Sequence, residues 1–146
     1  MGNRAVITTP DNPVGIYVHW NGGIESVLGF THAALALDVR SPSSDPSYFL
    51  ARLSQIIGNF FGGTTSVGIG LTDRMDSSDN GIWTVKDFDA VTQGNRVYSM
   101  GSLTPDGRKK ALGIRDQILA KQEAIFAADG YRVSYRTVSD LVKEEA

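Results

Sequence analysis

Residues 24–61 read IESVLGFTHAALALDVRSPSSDPSYFLARLSQIIGNFF, and this stretch decides the fold class. Ile24, Val27, Leu28, Thr31, Ala34 and Leu35 recur at helical spacing, which predicts a helix over Ile24–Leu37. Ser41-Pro42-Ser43-Ser44-Asp45-Pro46 then breaks the chain. Asp45 suits an N-cap, and Pro46 suits the first helical position because its missing N–H would have no partner there. A second helix is predicted over Asp45–Phe61. Its stripe is Phe49, Leu53, Ile56 and Phe60, widened by Leu50, Ile57 and Phe61, and Gly62-Gly63 ends it. Two helices in succession, with no strand between them, break a βαβ alternation and point to an α+β domain.

The flanks add strands. Arg4–Thr9 and Gly15–Trp20 are β-rich and are joined by the turn Pro10-Asp11-Asn12-Pro13, so they predict an N-terminal hairpin. On the second strand Ile16, Val18 and Trp20 share one face, with Tyr17 and His19 on the other. In Thr64–Leu71, Val67, Ile69 and Leu71 alternate with Ser66, Gly68 and Gly70, whose small size permits close approach on that face. Short strands are predicted at Ile82–Val85 and Asn95–Met100. Thr104-Pro105 opens a long helix to about Ala128, with Gly130 as its stop. Tyr131, Val133 and Tyr135 alternate as a last strand, and Ser139 can cap a short terminal helix, with fraying expected over 138–146. The expected whole is one domain over residues 1–146: an antiparallel sheet, two consecutive helices on one face and a long C-terminal helix. Trp20, Phe49, Leu53, Ile56 and Phe60 are the expected core residues.

Composition narrows the class. The chain has 146 residues, 41% hydrophobic, with no cysteine and a net charge of −2. That length suits a single core. The absence of cysteine excludes disulfides, thiolate metal sites and a Cys nucleophile. The start MGNRAVITTP lacks the apolar run of a signal peptide, and Val6 stands where myristoylation wants Ser or Thr. No segment approaches a membrane span, so the cytoplasm is the expected compartment, with no membrane partner. The small net charge predicts weak general attraction to nucleic acid. Arg108, Lys109, Lys110, Arg115 and Lys121 nonetheless form a local basic segment.

The strand-to-helix turn Asn21-Gly22-Gly23-Ile24-Glu25-Ser26 is the expected anion site. Gly22 and Gly23 allow positive φ, which a ring of inward N–H groups needs, and the helix start adds its positive end. Ser26 can donate its hydroxyl. The pattern loosely resembles the SGGxDS loop of the PP-loop ATP pyrophosphatases, departing from it at Asn21 and Glu25. A plain tight turn of small residues is the competing reading. Along the second helix Tyr48, Arg52, Gln55 and Asn59 fall in a row that can hydrogen-bond a polar ligand, or else satisfy nearby backbone. Arg52 stands out there, because Arg is costly to bury unpaired. The ligand-binding set is therefore Asn21, Gly22, Gly23, Ser26, Arg52, Gln55 and Asn59.

Other motifs are weaker. Asp76, Ser78, Asn80, Gly81 and Asp87 fall on EF-hand loop positions, but the strand-like flank and a terminal Asp favour a β-turn at Asp79-Asn80-Gly81. His19 and His32 are the only histidines, and no spacing pairs either with a carboxylate. No G-x-S-x-G elbow is present. The expectation is no catalytic set, no metal and no cofactor.

The segments Met1–Thr8, Val18–Gly23, Arg52–Gly63 and Asp79–Gly81 resemble a family of small bacterial and phage proteins of prophages and mobile elements. The resemblance covers roughly the first 85 residues. It implies an accessory protein, cytoplasmic in the host cell, that counters a host defence system by binding. Such a protein sequesters a nucleotide-type signal or blocks a defence protein. A homo-oligomer is a separate expectation for this chain. The alternative is a nucleotide-processing enzyme of PP-loop type acting at the Asn-Gly-Gly turn.

Overall fold

The computed structural model describes residues 2–128, so the elements expected around Tyr131–Tyr135 and Ser139 lie outside the described residues. Six strands form one sheet: β1 (Ala5–Thr8), β2 (Val14–Val18), β3 (Val67–Leu71), β4 (Ile82–Asp87), β5 (Ala90–Gln93) and β6 (Arg96–Tyr98). Their order is β3-β2-β1-β4-β5-β6. The expected hairpin is present, with Val6 opposite Tyr17. Every neighbouring pair is antiparallel except β1 and β4, which run parallel at the centre. That parallel pair exists because the chain leaves β3 at one edge and crosses β2 and β1 before entering β4.

The glycines make that crossing close. A Cβ on Gly70 would sit 3.1 Å from Met75 Sδ, and one on Gly15 would sit 2.9 Å from Thr72 Oγ1. The face left open by Gly68 and Gly70 thus meets Tyr17 and the 72–81 connection. β5 has no counterpart in the predicted elements. It is four residues long, and with β6 it forms a hairpin around Gly94, whose φ is +60°.

The helices α1 (Ile24–Ala36), α2 (Pro46–Phe61) and α3 (Pro105–Ala128) match the expected three, giving an α+β domain. Asp45 caps α2, its carboxylate accepting the Tyr48 N–H at 3.2 Å, and Pro46 opens the helix. Thr104 caps α3 through the Gly107 N–H. α1 is buried on nearly every side, as its apolar and small residues allow. Val27, Leu28 and Phe30 share one buried cluster with Ile7, Ile16 and Val18 of the sheet, and α2 lies against α1, setting Phe60 edge-on against Phe30. α3 runs in the same direction as α1. Gly107 lies beside Glu25, and Gly29 touches Ala111 and Ile114.

Phe49, Leu53 and Ile56 are core residues as expected, and Phe60 is partly buried against the core. Trp20 is not a core residue: it is 45% exposed and packs its ring edge-on to His19. β2 ends at Val18, so the two-residue alternation that would aim Trp20 inward has stopped. Trp83 of β4 takes the core position instead, donating its Nε1–H to the Gly22 carbonyl at 2.8 Å.

Candidate functional site

The Asn-Gly-Gly turn is built differently from the expected ring of N–H groups. The left-handed residue is Asn21, at φ +59°, while Gly23 is extended at φ −74°. Gly22 donates its N–H to the Asn3 carbonyl at 2.8 Å, so that donor is already used. Glycine is needed at 22 for space: a Cβ there would lie 2.5 Å from the Asn3 oxygen. Asn21 Nδ2 donates to the buried Ser26 hydroxyl at 3.2 Å. No side chain caps α1, but its own Glu25 stands in the first turn, beside the start of α3, where Asp106 also sits. Two helix starts thus meet carboxylates of the chain itself.

Four of the seven expected ligand residues fall in two separate depressions, and Gly22, Gly23 and Ser26 line neither of them. Asn21 lines a shallow one with Lys109, Lys110 and Gln117. Arg52, Gln55 and Asn59 line another, between α2 and α3, of about 640 Å³. The other basic residues of the C-terminal segment hold structure. Arg108 donates to the carbonyls of Met100, Gly101 and Leu103, Arg115 is buried beside Asp116, and Lys121 donates to the Phe60 carbonyl.

The α2–α3 groove is the better-formed site. Its apolar lining is Leu37, Ile56 and the exposed Ile125, and the rest of the lining is polar or glycine. Arg52 is anchored by Tyr48: Nη1 donates to the phenol oxygen at 2.9 Å, and the guanidinium lies over the ring. No carboxylate neutralises Arg52 among the described residues. Gln122 of α3 completes the groove. It is only 7% exposed, yet among the described residues its amide has no hydrogen-bond partner, and it lines the groove. Its amide is not among the buried polar atoms left without a partner, so it opens to the groove with donor and acceptor capacity for a bound molecule. Sequence reasoning missed Gln122. The available signal was its place on the α3 flank facing the Arg52 row.

Contrary to the sequence expectation, one histidine does pair with a carboxylate. His32 Nε2 lies 2.7 Å from Asp89 Oδ1, which also accepts the Met100 N–H. Burial raises the Asp89 pKa, but the His32 and Met100 hydrogen bonds outweigh it and the net direction is down. His19 meets the Tyr17 hydroxyl through Nδ1 at 2.8 Å.

The 76–81 loop is tied to the N-terminal strand. Asp76 accepts the Ser78 N–H and hydroxyl and pairs with Arg4, and these contacts hold its pKa at about 2. Asp79 accepts the Arg4 N–H, and Asn80 donates to the Arg4 carbonyl. The Asp79-Asn80-Gly81 turn thus pins the first strand. Among the described residues no three His, Asp or Glu side chains converge as a metal site. No described helix is long and apolar enough to cross a membrane.

Fold and groove together define an α+β domain carrying a half-polar cleft between two helices. Compared with known proteins, the chain matches no family model, no curated protein and no solved structure.

Proposed function

We propose that this chain is a stoichiometric binding protein of the prophage and mobile-element kind, acting against a host defence system by retaining a nucleotide-type signal in the α2–α3 groove. The observation that carries the reading is the amide of Gln122, engaged by no described residue and open to the same cleft that Arg52 lines. A cleft of about 640 Å³ suits a small molecule. Its parts fit a nucleotide's parts. Arg52, held by Tyr48, offers a planar cation to a phosphate. Leu37, Ile56 and Ile125 offer an apolar surface to a base. Gln55, Asn59 and Gln122 offer amides to base edges. These groups hold and orient a ligand without a nucleophile or base placed to act on it. Blockade of a defence protein would use an outer surface instead and would leave the groove's chemistry irrelevant.

Calorimetry with mono-, cyclic and dinucleotides on the parent, Gln122→Leu and Arg52→Met tests the proposal. Binding by the parent and its loss in both folded variants is the expected result, with the ligand recovered intact after denaturation. No binding by the parent, equal binding by the variants, or product accumulating over many turnovers would overturn it.

A further inference from the structure

The two edges of the sheet are unlike each other. β6 is short and carries Arg96, whose guanidinium lies over the Tyr98 ring, the kind of charged edge that discourages pairing. β3 at the other edge is VGIGL: five residues with no charge, no proline and no bulge. Its apolar residues face the helix side, since Ile69 pairs with the buried Ile16 and Leu71 with Val14, yet Ile69 is 62% exposed.

The backbone register shows which groups are open. The Ser66 carbonyl accepts the His19 N–H, and the Thr72 N–H donates to the Pro13 carbonyl, so the even-numbered residues bond to β2. Alternation then points the N–H and C=O of Val67, Ile69 and Leu71 outward. The sequence is symmetric about Ile69, with glycine on each side and an apolar residue beyond each glycine.

We infer that β3 is a self-association edge, pairing antiparallel with β3 of a second copy about a two-fold axis at Ile69. In that register Ile69 exchanges both backbone groups with its own mate, and Val67 exchanges both with the mate's Leu71. No outward group is left over. Gly68 falls opposite Gly70, so nothing on that face obstructs the pairing. The apolar row would extend under α2 and close a cleft of about 370 Å³ walled by Val14, Ile16, Leu50, Ala51 and Ser54. A two-fold interface sets a patch against itself, which a charged patch resists; none of the residues lining this cleft is charged. A second copy therefore fits this edge better than a charged partner. The inference is independent of the α2–α3 groove.

Sedimentation of the parent and of Ile69→Lys tests it. The parent should sediment as a dimer, and the variant as a monomer with the parental circular dichroism spectrum. Because the chain has no cysteine, Ile69→Cys gives a second reading. Directly paired antiparallel residues have Cα atoms about 5.5 Å apart, within disulfide range, so mild oxidation should cross-link this variant. Val97→Cys, equally exposed on the other edge, should not cross-link. A parent that is monomeric at every concentration overturns the inference. So does a dimer that survives Ile69→Lys, or cross-linking no better at position 69 than at 97.

Discussion

His32 on α1 and Asp89 in the β4–β5 turn lie 2.7 Å apart although 57 residues separate them in sequence. The neighbouring Thr31 hydroxyl donates to the Phe88 carbonyl at 2.7 Å, so two successive residues of the buried helix hold the same turn. Asp89 also accepts the Met100 N–H, tying in the short helical turn before α3. Asp89→Asn should lower stability by about 1–2 kcal/mol, the scale of a hydrogen bond to a charged group reduced for partial exposure. Urea unfolding of parent and variant checks this, and equal midpoints would count against it.

The Asp76 and Asp89 pKa values are both lowered in the fold. A carboxyl whose folded pKa is depressed contributes stability above its unfolded pKa, about 3.9, and loses it as pH falls through the folded value. For Asp76 that window runs down to about 2. Acid unfolding should therefore be most sensitive below about pH 4. Asp76→Asn should flatten the pH dependence there, because Arg4 and the Ser78 N–H then meet a group that does not titrate. Melting temperature against pH for the two proteins is the measurement.

Gly29 tests the α1–α3 contact. A Cβ there would fall 2.8 Å from the Ala111 carbonyl oxygen and 2.9 Å from Ile114 Cβ, and neither is the end of a flexible chain. Alanine improves helix propensity by about 1 kcal/mol, whereas overpacking costs about 1–3 kcal/mol. Gly29→Ala should come out destabilising. At Gly113 no atom lies within 4 Å of the added carbon, so Gly113→Ala should stabilise by the propensity term alone. Paired thermal melts decide the sign at each position.

The legible parts of this fold are those with a local physical cause. Asp45-Pro46 and Thr104-Pro105 announce helix starts, because a capping oxygen followed by a residue lacking an N–H suits the first turn. The stripe from Phe49 to Phe60 announces α2. The illegible parts depend on partners distant in sequence. Trp20 reads as inward only if β2 continues past Val18, and nothing local says that it stops. The parallel pairing of β1 with β4 and the His32–Asp89 bond arise from the crossing of the 72–81 connection. The candidate site was half legible: Arg52, Gln55 and Asn59 share one helix, whereas Gln122 joins them only through packing of α3 against α2. The glycine turn does lie between β2 and α1, and what requires glycine at position 22 is room for the Asn3 backbone.

Within the core, burial sets the ranking of two aromatic truncations. Phe49 is fully buried and packs edge-on against Phe88, so Phe49→Ala should cost about 3–5 kcal/mol. Phe60 is only partly buried, between Phe30 and Phe61, so Phe60→Ala should cost roughly half as much. A larger loss at Phe60 in denaturant titrations would mean that its packing is more complete than its exposure indicates.

Gln122 separates stability from binding. The Gln122 side chain is mostly buried while its amide opens to the groove, so an apolar residue of similar shape removes no hydrogen bond of the fold. Gln122→Leu should therefore melt close to the parent, within about 0.5 kcal/mol, since water already satisfies the amide in the groove. The same substitution should abolish nucleotide retention, because it deletes the donor and acceptor that face the ligand. Most polar-to-apolar changes that harm binding do so by weakening the fold, which an unchanged melting point would exclude here. A variant that melts below the parent would mean that the amide serves the fold. One that melts like the parent but binds equally would overturn the groove as the binding site.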